Sequence, residues 1–211
     1  MEAVVLGSTE IKVNKNGFGA LPIQRVSTED AVKLARKAYE AGITFFDTAR
    51  FYTDSEEKLG EAFDGMREKV YIATKTAANN ADEFWEQLGI SLHNLRTDYI
   101  DIYQFHNPSF CPKPGDGTGL YEAMLEAKAQ GKIRHIGITN HRLAVAEEAI
   151  ESGLYETLQF PFCYLATDKD IALVEKCKKA NMGFIAMKAL SGGLITNSAA
   201  TKISGLGVPS F

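Results

Sequence analysis

Four residues that can hold or transfer protons occupy positions that suit a common site. Three of them come directly after short apolar runs: Asp47 after residues 43–46, Lys75 after 70–74 and His106 after 99–105. If these runs are parallel strands of one sheet, the three side chains meet at its carboxyl edge, where parallel α/β folds build their sites. Tyr52 follows five residues after Asp47 and would lie on a loop above that edge.

An acid, a phenol, an amine and an imidazole brought together in this way form a proton-transfer site. A free tyrosine has a pKa of about 10, and a neighbouring Lys75 ammonium would lower the pKa of Tyr52. Asp47 would pair with Lys75 and keep it charged, while His106 would hydrogen-bond a substrate carbonyl. We therefore expect general acid catalysis on a carbonyl oxygen, with Tyr52 as the acid.

Each of the four residues also has an ordinary structural explanation. An acid after a strand is usually a helix cap or a turn residue, as Asp47 would be. Tyr52 could be a packing residue, Lys75 a solvated strand end and His106 a residue that satisfies its loop. We favour a site because these explanations would have to hold independently at all four positions. Three aromatic residues are candidates either for a substrate pocket or for ordinary core: Phe51, Trp85 and Phe110.

The sequence alternates short apolar runs with helical patterns, which predicts βαβ units and a parallel sheet. Seven strands are predicted, and they begin at Phe18, Ile43, Val70, Tyr99, Arg134, Thr157 and Gly183. Their spacing of roughly 25–35 residues suits a TIM-type (β/α)8 barrel, whereas a doubly wound sheet would usually carry a glycine-rich phosphate loop after its first strand. We predict an α/β barrel of about seven strands, preceded by an N-terminal β-hairpin over residues 2–15.

This predicted barrel is incomplete. Residues 195–211 are rich in Ser, Thr, Gly and Ala, and they contain no convincing helix or eighth strand. Seven strands would leave unpaired edges, which are an aggregation liability. Assembly into a homo-oligomer or further residues would cover those edges, and the sequence favours neither. We predict a single domain over residues 1–211, with an atypical tail at 195–211.

Composition argues against several classes of function. The chain has 211 residues, of which 45% are hydrophobic and 24% charged, as is typical of a soluble globular domain. A net charge of −4 and the lack of a basic cluster argue against nucleic-acid binding. Three cysteines without C-x-x-C spacing predict neither disulfides nor a metal site, and they favour a cytoplasmic location. We find no secretion signal and no membrane-spanning run of about 20 apolar residues.

Two motifs resemble those of the aldo-keto reductases. Residues 41–52, Ala-Gly-Ile-Thr-Phe-Phe-Asp-Thr-Ala-Arg-Phe-Tyr, look like the signature of that family, and residues 131–140, Gly-Lys-Ile-Arg-His-Ile-Gly-Ile-Thr-Asn, resemble its fifth strand. Members of the family are (β/α)8 barrels that reduce aldehydes and ketones with a nicotinamide cofactor. The resemblance covers most of residues 2–194. It places the family's catalytic tetrad on Asp47, Tyr52, Lys75 and His106.

The resemblance implies NADPH as the cofactor, with NADH as the alternative, and a small carbonyl compound as the substrate. Hydride would pass to the carbonyl carbon while Tyr52 protonates the oxygen. Contacts with the cofactor are implied for Gly19, Asp47, Thr139, Asn140, Gln159, Met187 and Leu190. Met187 stands where many members stack an aromatic ring on the nicotinamide. The family's main contacts with the adenosine phosphate lie around its eighth strand. We recognise no corresponding strand in this sequence.

Two other functions stay open on the sequence. Some relatives serve as channel-associated subunits, so the chain could be a non-catalytic nicotinamide-binding or interaction protein. It could also be an inactive, incomplete barrel. Titration with the cofactor, together with an assay of turnover, would distinguish these functions from that of a carbonyl reductase.

Overall fold

The computed structural model of the protein describes residues 3–190, so the predicted tail at 195–211 lies outside the described residues. The described chain begins with an antiparallel hairpin of strands β1 (Ala3–Val5) and β2 (Lys12–Asn14). The turn of this hairpin is tight: Gly7 has a φ of +53°, and the Thr9 hydroxyl donates to the Leu6 carbonyl at 2.7 Å. The hairpin predicted over residues 2–15 is confirmed.

In the described part of the chain, seven parallel strands follow the hairpin and pair in chain order, each with its sequence neighbours. They are β3 (Phe18–Gly19), β4 (Phe45–Asp47), β5 (Tyr71–Thr76), β6 (Ile100–His106), β7 (Ile133–Thr139), β8 (Thr157–Pro161) and β9 (Gly183–Met187). The pairing is parallel at every step from β3 to β9. Together the strands form a nearly closed barrel, as the sequence predicts.

Six α-helices connect these strands and lie on the outside of the barrel. They are α1 (Thr28–Glu40), α2 (Ser55–Ala62), α3 (Ala81–Asn94), α4 (Leu120–Ala129), α5 (Leu143–Ser152) and α6 (Asp168–Lys179). Side chains of Ser27, Asn80 and Thr167 accept from backbone N–H groups at the starts of α1, α3 and α6. Such caps satisfy donors that a helix start would otherwise leave unpaired, and so they fix where these helices begin.

The apolar core has two layers. The larger one lies between the sheet and the helices, where outward-facing residues such as Phe46, Ile72 and Ile138 are buried. The smaller one fills the barrel interior, where Phe45 and Ala73 pack against residues of the hairpin and its turn. The hairpin also contacts the start of β9 through a bridge between Gly7 and Met182. The hairpin thus packs against the apolar interior, while the polar residues of the barrel lie towards its carboxyl end.

The local differences from the predicted elements are small. The first strand of the barrel, β3, is only two residues long, because a 3₁₀ helix, Leu21–Arg25, begins almost directly after it. Pro22 lies near the start of that helix. A second 3₁₀ helix, Arg67–Lys69, precedes β5. His106 and Thr139 are the last residues of their strands rather than the residues that follow them. Among the helices between residues 3 and 190, none combines the length and apolar character that crossing a bilayer requires.

Candidate active site

The carboxyl edge of the barrel brings Asp47 and Lys75 into direct contact. Asp47 is the last residue of β4 and Lys75 lies near the end of β5, and the two strands pair in parallel. The Lys75 Nζ lies 2.8 Å from each carboxylate oxygen of Asp47 and 2.6 Å from the Thr48 carbonyl oxygen. Three acceptors around one nitrogen match the three N–H bonds of an ammonium group. The side chain of Lys75 is almost fully buried, so the pair is held away from bulk water.

Tyr52 and His106 complete the cluster. The loop after β4 runs along β5, since Thr48 and Arg50 donate backbone N–H groups to the carbonyls of Ala73 and Lys75. This path places the Tyr52 ring 5.3 Å from Lys75 Nζ, measured to the ring centroid. The Tyr52 ring meets the His106 ring edge-on at a centroid distance of 5.7 Å. All four residues therefore lie around one half-buried space at the carboxyl edge.

The pKa of Tyr52 moves in the direction opposite to the one that the sequence suggests. Burial raises it to about 12, and the negative charge of Asp47 adds to the shift. The Lys75 ammonium does not offset this rise, because the Asp47 carboxylate to which it is bound balances most of its charge. At neutral pH the phenol is consequently fully protonated, which is the form that a general acid needs before it acts.

The pKa values of His106 and Lys75 are also shifted. Burial lowers the pKa of His106 to about 4, and the Lys75 charge adds to this shift. The imidazole is therefore neutral at pH 7, with one ring N–H available as a donor. Burial also lowers the pKa of Lys75, and the Asp47 carboxylate opposes that change. Groups whose pKa values are displaced by burial and by specific charges are typical of active sites.

Polar residues of β7 and β8 line the neighbouring part of the edge. Thr139 is opposite His106 on one side and Gln159 on the other, and all three lie on adjacent strands. Thr139 and Gln159 are buried, and the partners of their side chains between residues 3 and 190 are the uncharged Met187 and Gln104. Asn140 differs, since its amide donates to the Pro108 carbonyl at 2.8 Å and its oxygen accepts from the Arg142 backbone. Asn140 thus ties its own loop to the loop that follows β6.

The remaining predicted cofactor contacts are spread along the edge. Gly19 is opposite Asp47, and a Cβ atom built on it would meet nothing within 4 Å, so space is open above it. Met187 ends β9, with its sulfur 3.9 Å from the Thr139 hydroxyl. Leu190 is exposed. Space above Gly19, donors at Thr139 and Gln159 and a thioether at Met187 fit a planar ring with an amide substituent.

The structure adds two residues that sequence reasoning missed. Gln104 on β6 is fully buried and lies between Asp47 and Gln159. Glu56 at the start of α2 is also fully buried, and it accepts from Arg50 at 3.1 Å and from Thr74 at 2.6 Å. A polar residue inside the apolar run 99–105 was the available signal for Gln104. Glu56 lies among other charged residues of α2, so the sequence offers no signal for it.

A cavity of about 270 Å³ opens beside His106, between the loops that follow β5 and β6. Its lining includes Ala78, Asn79 and Phe110, and none of its lining side chains is an acid, a lysine or an arginine. Of the three aromatic candidates, only Phe110 lines this cavity: Phe51 is exposed and Trp85 packs on Phe84.

A larger cavity of about 430 Å³ lies elsewhere, among charged residues of α2 and α3 on the helical face. It contains none of the four clustered residues. We place the site at the strand edge because the acid, phenol, amine and imidazole converge there.

Comparisons with known proteins point to one family. The model of the "Aldo/keto reductase family" matches residues 13–205. L-galactose dehydrogenase of Arabidopsis thaliana is 29% identical over 216 residues, which cover 93% of this chain and 67% of that protein. Methylglyoxal reductase DkgB of Salmonella typhi is 38% identical over 134 residues, covering 60% of this chain and 48% of that protein. The chain thus spans about one half to two thirds of the length of the curated relatives it matches.

Solved structures share the fold. An aldo-keto reductase from Bacillus halodurans in its holo form superposes with a TM-score of 0.81 at 24% identity, over 92% of this chain and 68% of that one. An aldo/keto reductase from Klebsiella pneumoniae, solved in complex with NADP and acetate, gives a TM-score of 0.79 at 23% identity, over 97% of this chain and 76% of that one. At identities of 23–24%, these two structures support the barrel fold of this chain and carry no further conclusion.

Proposed function

Because this chain belongs to the aldo/keto reductase family, we propose that it reduces an aldehyde or ketone to the alcohol with a nicotinamide cofactor. The observation that carries the proposal is the cluster at the strand edge. A protonated Tyr52, a neutral His106 and a buried Lys75–Asp47 pair surround one space. These are the groups that a carbonyl oxygen needs as it gains negative charge.

Tyr52 is the proton donor in this proposal. Its pKa of about 12 keeps the phenol protonated until a stronger base forms beside it. An alkoxide developing on the substrate is such a base, so the proton moves from the phenol to the substrate oxygen as the carbon is reduced. The Lys75 ammonium, 5.3 Å from the ring centroid, stabilises the phenolate that remains.

His106 orients the substrate. With a pKa of about 4 it stays neutral through the physiological range and can donate one ring N–H to the carbonyl oxygen. A neutral donor polarises the carbonyl without competing with Tyr52 for the role of acid. The two rings lie edge to face with their centroids 5.7 Å apart, so one small carbonyl group could contact both.

The nicotinamide cofactor, when bound, supplies the hydride for the carbonyl carbon. Thr139 and Gln159 would hold its carboxamide, Gly19 would leave room above the edge, and Met187 would cover one face of the ring. Asp47, Asn140 and Leu190 complete the proposed contacts. NADPH is our first choice, supported by the structural neighbour solved with NADP, and NADH is the alternative.

The substrate that we propose is a small, uncharged carbonyl compound. The cavity beside His106 has a volume of about 270 Å³, and none of the described residues that line it is an acid, a lysine or an arginine that could pair with an ionic group. We also propose a cytoplasmic location. Cys111, Cys163 and Cys177 form no disulfide with one another, which suits a reducing compartment.

The test is an assay of cofactor oxidation with a panel of small aldehydes. We expect turnover that depends on the aldehyde and a higher kcat/KM with NADPH than with NADH. Methylglyoxal and a neutral aldose make useful first members of the panel, next to a carboxylated aldehyde as the disfavoured comparison. Cofactor binding with no turnover on any aldehyde would instead support a non-catalytic nicotinamide-binding protein.

A further inference from the structure

Gln104 lies at the centre of the barrel interior, between the catalytic cluster and the cofactor edge. It is fully buried on β6, two residues before His106. Strand pairing places it opposite Lys75 on β5 and opposite Gly137 on β7. An uncharged amide is unusual at such a depth unless its hydrogen bonds are used.

The amide nitrogen of Gln104 contacts two residues that the proposed function uses. Its Nε2 lies 3.1 Å from Gln159 Oε1 and 3.5 Å from Asp47 Oδ1. A carboxylate can only accept, so the amide atom that faces Asp47 must be the nitrogen, and this decides the orientation of the Gln104 amide. The same nitrogen then requires the oxygen of Gln159 to face it. The nitrogen of Gln159 is therefore left as the donor for a ligand.

The surroundings hold Gln104 in this position. A Cβ atom on Gly137 would lie 2.8 Å from Gln104 Cγ, so the absence of a side chain at residue 137 makes room for it. The oxygen of the Gln104 amide adds no hydrogen bond to this position, because Oε1 has no partner among residues 3–190. A buried polar atom without a partner costs stability, so packing alone does not explain a glutamine at this position.

We propose that Gln104 is a positioning residue: it ties the Asp47–Lys75 pair to Gln159 and orients the Gln159 amide to donate to the carboxamide oxygen of the nicotinamide. The inference rests on the proposed function, since Gln159 must face the cofactor. It predicts that replacing Gln104 weakens the contact with the nicotinamide half of the cofactor and leaves contacts with the other half unchanged.

The experiment compares two ligands by isothermal titration calorimetry: NADPH and 2′-phospho-ADP-ribose, which lacks the nicotinamide. The variant Gln104→Met keeps the length of the side chain but cannot donate. We expect it to bind NADPH about tenfold more weakly, the size of one neutral hydrogen bond, and to bind 2′-phospho-ADP-ribose as the wild type does. Equal weakening for both ligands, or no weakening for either, overturns the proposal.

Thr157→Val is the matched control. Thr157 is also buried in the barrel interior, and within the described part of the chain its hydroxyl has no hydrogen-bond partner. It lies opposite Gly137 but does not bond to Gln159. We expect its affinity for NADPH to stay at the wild-type value. A tenfold loss in this control would mean that any change in the interior weakens binding, and would count against a specific role for Gln104.

Gln104→Glu supplies a second readout, which keeps the inference testable if the methionine variant folds poorly. An ionised carboxyl group can only accept, whereas a protonated one can donate to Gln159. We expect the affinity of this variant for NADPH to fall as pH rises, while the affinity of the wild type does not change with pH. If the affinity of the variant is also independent of pH, the proposal is overturned. Absence of aldehyde-dependent turnover in wild-type protein refutes the proposed function, whereas wild-type protein that turns over and binds 2′-phospho-ADP-ribose as tightly as NADPH overturns the role of Gln104 alone.

Discussion

The Arg50 guanidinium donates to Glu56 Oε2 at 3.1 Å, and this ion pair closes the loop that carries Tyr52. Glu56 is fully buried and accepts from the Thr74 hydroxyl on β5 as well. The loop is also tied to the sheet by the backbone bond from Arg50 to Lys75. The phenol is thus positioned by contacts made on both sides of it in the sequence.

Removing the charge of Glu56 should loosen this loop. We expect Glu56→Gln to lower the free energy of unfolding by about 1–3 kcal/mol, because Arg50 loses its partner and a buried network is broken. Turnover should fall as Tyr52 becomes less well placed. Urea denaturation and kcat measure the two effects. Glu57→Gln, an exposed neighbour on the same helix, is the control, and equal stability of the two variants would contradict the role of Glu56.

Substitutions of Asp47 and Lys75 should be strongly coupled in their effects on the free energy of unfolding. Asp47→Asn leaves a buried ammonium without its counter-charge, and such losses cost about 3–5 kcal/mol. The double variant Asp47→Asn/Lys75→Met removes both charges, so we expect it to recover much of the stability but none of the activity. A double-mutant cycle by chemical denaturation measures the coupling. Additive effects of the two changes would show that the pair is not held as the structure has it.

The pKa of His106 makes stability depend on pH in a defined window. It is about 4 in the folded protein and about 6.5 in an unfolded chain, so the unfolded state binds more protons between these values. Stability should therefore fall as pH drops from about 6.5 to about 4, by on the order of 2–3 kcal/mol. His106→Gln should flatten this part of the profile. Urea titrations across the window test it, with the exposed His93→Gln as the control.

Gly137 should tolerate no side chain. An added Cβ would come within 2.8 Å of Gln104 and would also meet the Thr157 hydroxyl, so we expect Gly137→Ala to destabilise by about 1–3 kcal/mol. Gly89→Ala is the control, because a Cβ there meets nothing within 4 Å and alanine favours the helix by about 0.5–1 kcal/mol. Thermal denaturation compares the two. Wild-type stability of the Gly137 variant would show that the interior has room to spare.

The sequence was sufficient for the fold and for the places where polar residues meet. Parallel strands share one carboxyl edge, so the positions of the acid, amine and imidazole after apolar runs are enough to predict that they lie together. Asp47, Lys75 and His106 lie where that reasoning puts them. The alternation of strands and helices likewise predicted the order of the barrel strands.

The sequence was not sufficient for properties that depend on exact neighbours. The sequence predicts a lowered pKa for Tyr52, and this prediction was wrong, because the pKa is raised. Neither the burial of Tyr52 nor the bonds that the Lys75 ammonium makes to other groups can be inferred from residue spacing. The contact between Gln104 and Gln159 joins residues 55 positions apart, across the register of three strands. Glu56 gave no signal, since an acid on an amphipathic helix normally faces solvent.

The central claim is that Tyr52 supplies the proton that completes carbonyl reduction. Tyr52→Phe removes only the hydroxyl group and keeps the ring that packs against His106. We expect its kcat for aldehyde reduction to fall by at least about 100-fold, with an unchanged calorimetric affinity for NADPH. A variant that binds NADPH normally and still reduces the aldehyde at the wild-type rate would contradict the account.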